Sequence, residues 1–180
     1  MAPQLTRVCL IGPECTGKTT LAAELAAHFN APWVPEFARE YAERVKRELT
    51  ADDVEPIARG ELALIDAAPN EGLVILDTDL ISTVVYARHY YGSCPEWIER
   101  EAQKRKADLY LLLDIDLPWV ADSLRDSASP RESLYAQFAQ TLKDYEANVA
   151  AITGERFAAA IKQLNSLLDR PPAATRTPHR

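Results

Sequence analysis

A chain of 180 residues that is 47% apolar and 26% charged has the balance of a single globular domain with enough apolar material for a sizeable core. Its formal net charge of −7 argues against a sequence-independent nucleic-acid binder, which needs a basic face, but not against a local basic pocket for a nucleotide. Cys9, Cys15 and Cys94 have neither zinc-ligand nor disulfide-framework spacing, and no apolar run approaches the ~20 residues of a membrane span.

The first seven residues lack the apolar core of a signal peptide, so a cytoplasmic location is expected. Residues 7–11 (Arg-Val-Cys-Leu-Ile), bounded by Gly-Pro, read as a buried strand. Leu21, Leu25 and Phe29 then recur at helical spacing and predict a helix over 19–29. Trp33-Val34 reads as a short second strand, and 36–48 and 52–67 as two helices. Leu73-Val-Ile-Leu76 is a third strand running into Asp77. Residues 80–91 read as a helix, and Pro95 opens another at a position where its missing N–H costs nothing. Leu109 to Leu113 form the next strand, ending on Asp114. After a Ser-rich break at 127–130 come a helix over 131–145, a strand over 149–152 and a helix over 154–168. Residues 169–180, rich in Pro, Ala, Thr and Arg, read as a flexible tail behind a domain spanning 1–168. The alternation of strands and helices predicts an α/β fold, a parallel sheet of about five strands covered on both faces. In such sheets ligands bind beyond the carboxyl ends of the strands.

Gly12, Pro13, Glu14, Cys15, Thr16, Gly17, Lys18 and Thr19 match GxxxxGK[ST] between a strand and a helix, with Thr20 following in the helix's first turn. The glycines let the backbone curl so that successive N–H groups face one phosphate, while Lys18 reaches the β- and γ-phosphates. Thr19 offers its hydroxyl to Mg²⁺, and the helix N-terminus favours the anion. A P-loop NTPase sandwich that binds ATP and Mg²⁺ follows. Cys15 fills an unspecified position of the motif; a redox role is the lesser alternative.

Asp77, at the end of an aliphatic strand, has the Walker-B arrangement and is expected to hold metal and to act in catalysis. Asp79, two residues on, stands between two readings: a second catalytic carboxylate for the acceptor hydroxyl, or the cap of the next helix. Glu36 ends the short second strand with Arg39 one turn later, either an acceptor-binding pair or an i,i+3 surface pair worth tenths of a kcal/mol. Asp114 and Asp116 read as a turn. Arg125, with Arg131 beyond the Ser-rich break, is the expected source of a cationic lid over the transferring phosphate.

Taken together, Gly12-Pro-Glu-Cys-Thr-Gly-Lys-Thr-Thr-Leu21, Pro35-Glu-Phe-Ala-Arg-Glu40, Asp77-Thr-Asp79 with Thr83 and Tyr86, Tyr91-Gly92, and Pro118-Trp-Val with Asp122 and Arg125 resemble the kinase domain of the NadR-type ribosylnicotinamide kinases. The resemblance covers roughly residues 5–168. It implies a nucleoside-kinase-like fold and transfer of the ATP γ-phosphate to the 5′-hydroxyl of nicotinamide riboside, giving nicotinamide mononucleotide. It also implies that Glu36, Asp77 and Asp79 face acceptor and metal and that Arg125 serves the lid; Arg39 and Tyr91 join the substrate-binding candidates. Larger family members carry an adenylyltransferase domain that this sequence lacks, so a stand-alone kinase domain is expected. Pro35 stands where the family's riboside kinases can carry an aromatic residue, leaving Phe37, Tyr41, Tyr90, Tyr91 and Trp97 as candidate stacking faces. The expected partner is a small nucleoside- or vitamin-like molecule, with neither nucleic acid nor membrane; homo-oligomer formation stays open. The alternative function is a regulatory ATP-binding module with slow ATPase activity, acting through a partner protein.

Overall fold

Residues 4–117 and 131–169 are described in a computed structural model of the chain. Five strands form one parallel sheet: β1 (Thr6–Ile11), β2 (Trp33–Val34), β3 (Leu73–Asp77), β4 (Leu109–Leu113) and β5 (Val149–Ile152), in the order β2-β3-β1-β4-β5. The helices are α1 (Lys18–Phe29), α2 (Phe37–Val45), α3 (Val54–Ala67), α4 (Leu80–Tyr91), α5 (Glu96–Lys104), α6 (Arg131–Asp144) and α7 (Arg156–Leu168).

The unbroken apolar runs of β1, β3 and β4 are explained by burial on both faces, as in other parallel sheets. Successive β1 side chains point opposite ways. Val8 and Leu10 join α1 and α7, through Leu21, Leu25, Ala160 and Leu164. Cys9 and Ile11 join α3, α4, α5 and α6, through Ala58, Ile81, Ile98 and Phe138. Each Val, Leu, Ile or Phe side chain among these contributes roughly 1.5–3 kcal/mol on full burial, so the three layers are held chiefly by this two-sided core.

Element positions follow the sequence expectations, with differences at the ends. The helix expected over 36–48 stops at Val45, because Lys46 adopts a left-handed conformation and its N–H closes on the Ala42 carbonyl. The helix expected from 52 begins as a 3-10 turn, Ala51–Asp53. There the Asp53 carboxylate accepts from the Thr50 N–H (2.8 Å) and receives both Arg47 nitrogens (2.7 and 2.8 Å) and the Tyr41 hydroxyl (2.8 Å). Beyond β4, Asp116 accepts from the Gly154 N–H and from Arg156, tying the segment after β4 to the start of α7. At the chain's end Asp169 is the C-cap of α7, and residues 170–180 lie outside the described residues. Among the described residues no helix is long and apolar enough to cross a membrane.

Sheet order positions the site. Placing β1 between β3 and β4 sends chain connections to opposite sides of the sheet, so a crevice opens at the carboxyl ends of these strands. The parallel register pairs Leu10 with Asp77, which brings the Asp77 carboxylate level with the loop leaving β1.

Candidate active site

The loop between β1 and α1 is built on backbone conformations that few residues tolerate. Gly12 has φ 139°, and a Cβ there would lie 2.9 Å from the Leu113 carbonyl oxygen of β4. Gly17 (φ 84°) is the N-cap of α1, and Cys15 also lies in the left-handed region (φ 54°). Inside this curl Lys18 is buried and donates to the carbonyls of Gly12 (2.9 Å) and Pro13 (2.6 Å). The Thr16 hydroxyl donates to the Pro13 carbonyl (2.9 Å) and closes the turn. An ammonium and a helix N-terminus held at one strand end form an anion site.

Facing the loop, the Thr19 hydroxyl donates to Asp77 Oδ2 (2.6 Å). Asp77 is buried, and its Oδ1 has no hydrogen-bond partner. Burial raises its pKa, opposed by the Thr19 hydrogen bond and by Lys18. Thr19 Oγ1 and Asp77 present the hard oxygen donors that Mg²⁺ takes, one or two protein oxygens being usual when phosphates and waters complete the octahedron. Among the described residues no group of three His, Cys, Asp or Glu side chains could hold a metal ion.

Thr78 has φ 72°, a left-handed conformation that is strained for a β-branched residue. Its N–H is fixed to the Leu10 carbonyl (3.1 Å), and the reversal sends the next side chain away from the loop. Asp79 is therefore buried, accepting from the Ile81 N–H (2.9 Å) and from the Tyr110 hydroxyl (2.6 Å). Burial pushes its pKa up to about 6, against those hydrogen bonds. Of its two sequence readings, the cap of α4 is present in the geometry.

Glu36 is the N-cap residue of α2, with Arg39 Nε 3.7 Å from Glu36 Oε2. The Arg39 side chain is about half exposed, the Glu36 side chain only 8%. Tyr91 closes α4 and is exposed, next to Tyr90. Tyr90 reaches the phosphate loop, its hydroxyl 3.5 Å from Glu14 Oε1, and stacks on Tyr86 (centroids 6.1 Å apart, 6° between planes). The other candidate stacking faces are engaged elsewhere. Phe37 packs on Gly60, Tyr41 bonds to Asp53, and Trp97 donates to Glu55 beneath Arg59. Arg125, with the Trp119 to Asp122 motif, lies outside the described residues. Arg131, its companion in the sequence reading, starts α6 and donates to the carbonyls of Leu117 (2.8 Å) and Cys15 (3.3 Å), which sets a guanidinium against the phosphate loop.

One residue of this region escaped the sequence reading. Glu61 is only 2% exposed, and its Oε2 accepts from the Phe37 N–H (3.1 Å) at the start of α2. The signal was present: Ile57, Glu61 and Ile65 follow at four-residue spacing, which places a carboxyl on the apolar face of α3.

A family profile described as AAA domain matches residues 7–158. The trifunctional NAD biosynthesis/regulator protein NadR of Escherichia coli (strain K12) is 31% identical over 131 residues, covering 68% of this chain and 31% of that protein. Its counterpart in Salmonella typhimurium is 31% identical over 128 residues, with the same coverage. The chain thus spans 31% of the length of these curated relatives. Among solved structures, that of NadR protein in complex with NR superposes with a TM-score of 0.72 at 25% identity, covering 89% of this chain and 50% of that one.

Proposed function

This chain belongs to the AAA-domain family and is a P-loop kinase-like domain homologous to NadR, and from that premise we propose that it transfers the ATP γ-phosphate to the 5′-hydroxyl of nicotinamide riboside, giving nicotinamide mononucleotide. The observation that carries the reading is the Thr19–Asp77 contact of 2.6 Å, which joins the phosphate loop to a strand-end carboxylate in one metal-competent pair beside Lys18. The likeness to a NadR structure whose bound molecule is NR supports the acceptor.

In this reading the loop N–H groups and Lys18 bind the phosphates, the ammonium exchanging the Gly12 and Pro13 carbonyls for β- and γ-oxygens. Mg²⁺, held by Thr19 Oγ1 and Asp77, would neutralise charge on those oxygens. Glu36, backed by Arg39, binds acceptor hydroxyls at the end of β2. The second Asp77 oxygen would face the acceptor hydroxyl, and Asp79 fixes the turn that aims Asp77 and orients the hydroxyl through it. Tyr90, next to Glu14, and Tyr91 offer the aromatic face that Pro35 does not. Arg131 and Arg125 supply positive charge to the migrating group, as transition-state arginines do.

The test is ADP release from ATP–Mg²⁺ with and without nicotinamide riboside, beside a panel of nucleosides and vitamins. Strong stimulation by nicotinamide riboside is expected. Stimulation by another compound alone would replace the acceptor, and ATP binding with no stimulation by any compound would favour the regulatory module.

A further inference from the structure

Tyr110 is the only residue of β4 with a polar side chain, in the run Leu-Tyr-Leu-Leu-Leu, and it is fully buried. A phenol in such a layer is costly unless its hydroxyl is bonded, and phenylalanine would fill the same space without that need. Here the hydroxyl makes two bonds. It accepts from the Ala107 N–H (3.0 Å) and donates to Asp79 Oδ2 (2.6 Å), while Asp79 Oδ1 takes the Ile81 N–H (2.9 Å).

The bond to Asp79 spans the sheet. β4 and β3 are not neighbours, because β1 runs between them. Leu76, Cys9 and Tyr110 are register partners in one row across these three strands, and Cys9 puts the smallest side chain of the row in the middle. The link therefore joins β4 to the turn after β3, across the strand that carries the phosphate loop.

That turn needs restraint. Thr78 is left-handed, a conformation of a β-branched residue that persists only where its surroundings over-determine it. Three elements do so. The Leu10 carbonyl of β1 takes the Thr78 N–H (3.1 Å), the first turn of α4 holds one Asp79 oxygen, and Tyr110 holds the other. Immediately before the turn stands Asp77, whose Oδ2 meets Thr19 and whose Oδ1 is without a hydrogen-bond partner. A serine or asparagine would also cap α4, so capping alone explains neither the buried carboxylate nor the phenol bonded to it. What the pair adds is a fixed direction for the Asp77 side chain. Mg²⁺ demands near-ideal octahedral geometry, so a donor that drifts holds the ion poorly.

We propose that Tyr110 is a positioning residue for the Mg²⁺–nucleotide site: through Asp79 and the Thr78 turn it holds the Asp77 carboxylate against Thr19. The inference rests on the Mg²⁺–ATP part of the reading above and is independent of the acceptor.

The experiment measures the Kd for ATP by isothermal titration calorimetry, once with Mg²⁺ and once with EDTA, in wild type, Tyr110→Phe and Leu164→Ala. Leu164 is buried in the other core layer and serves as a control for lost stability alone. Tyr110→Phe is expected to weaken Mg²⁺–ATP binding about tenfold, as loss of an outer partner of a metal ligand does, with the Kd in EDTA unchanged. Leu164→Ala should lower Tm and leave both constants at their wild-type values. Should Tyr110→Phe not fold, Asp79→Ser cuts the same link from its other end, and the same two constants decide. Its one short hydroxyl can serve the Ile81 N–H but cannot also reach Tyr110. A fall in Tm with both constants unchanged would reduce the Tyr110–Asp79 bond to a structural tie and overturn the proposal. So would equal weakening in Mg²⁺ and EDTA, the same Mg²⁺-specific loss in Leu164→Ala, or a wild type that binds ATP no better with Mg²⁺. If wild type phosphorylated no acceptor, the kinase reading would fall while these constants still decided the role of Tyr110.

Discussion

Gly60→Ala sets two effects of opposite sign against each other. On an ordinary helix interior the change would stabilise the protein by about 1 kcal/mol, because glycine loses more backbone freedom on folding than alanine. Here the new Cβ would lie 2.0, 2.2 and 2.4 Å from three carbons of the Phe37 ring, far inside the ~3.5–4 Å of normal carbon contact. The ring has little freedom to step aside. Its backbone amide is bonded to Glu61, and Tyr41 and Arg44 lie against it at 6.2 and 6.0 Å between centres. Overpacking of this kind costs about 1–3 kcal/mol, so a net loss of about 1 kcal/mol is expected, a fall in Tm of roughly 2–4 °C for a chain of this size. Since Phe37 follows Glu36, the acceptor KM should rise while the KM for ATP stays put. Thermal unfolding and steady-state kinetics on the same preparation test both parts. A variant about 1 kcal/mol more stable than wild type, with an unchanged acceptor KM, would show that the α2–α3 contact yields freely and does not position Glu36.

Lys18→Ala should reduce phosphoryl transfer at least ~10²-fold without loss of fold, since its charge acts on the phosphates; residual transfer near wild type in a coupled ADP assay would refute its role. Asp79→Asn should lower stability by about 1–3 kcal/mol in urea unfolding, because the Ile81 N–H and the Tyr110 hydroxyl donate to different carboxylate oxygens and the amide replaces one of these by an NH₂ donor. If that variant kept full acceptor phosphorylation, Asp79 would have no part in orienting the hydroxyl. Arg47 holds the Asp53 carboxyl well below the usual carboxylate range, aided by the Thr50 and Tyr41 hydrogen bonds. The folded state thus binds this proton more weakly than the unfolded one, and the stability Asp53 contributes is present above the ordinary Asp range and lost as pH falls through its depressed pKa. The difference in urea midpoint between wild type and Asp53→Asn should therefore shrink between neutral pH and about pH 3, and a difference independent of pH would refute the assignment.

The elements and the phosphate loop were legible in the chain because their causes are local. Apolar runs such as Leu73 to Leu76 and Leu109 to Leu113 are bounded by turn residues, and the loop's glycines sit at fixed offsets around Lys18. Even Glu61 was readable as a carboxyl on an apolar helix face. Pairing between distant segments was not. The order β2-β3-β1-β4-β5 and the Leu10–Asp77 register bring Thr19 to Asp77 across 58 residues of sequence, and no pattern in either segment specifies that register. Likewise Tyr110 reaching Asp79, Arg131 reaching the Cys15 carbonyl and Phe37 resting on Gly60 depend on which helix covers which strand. The sequence by itself determined which groups could bind phosphate, since backbone curl and a following lysine are short-range properties. Only the tertiary structure decided which carboxyl lies against the phosphate loop and which is turned into the core, because the left-handed Thr78 between Asp77 and Asp79 is held by a bond to Leu10 on another strand.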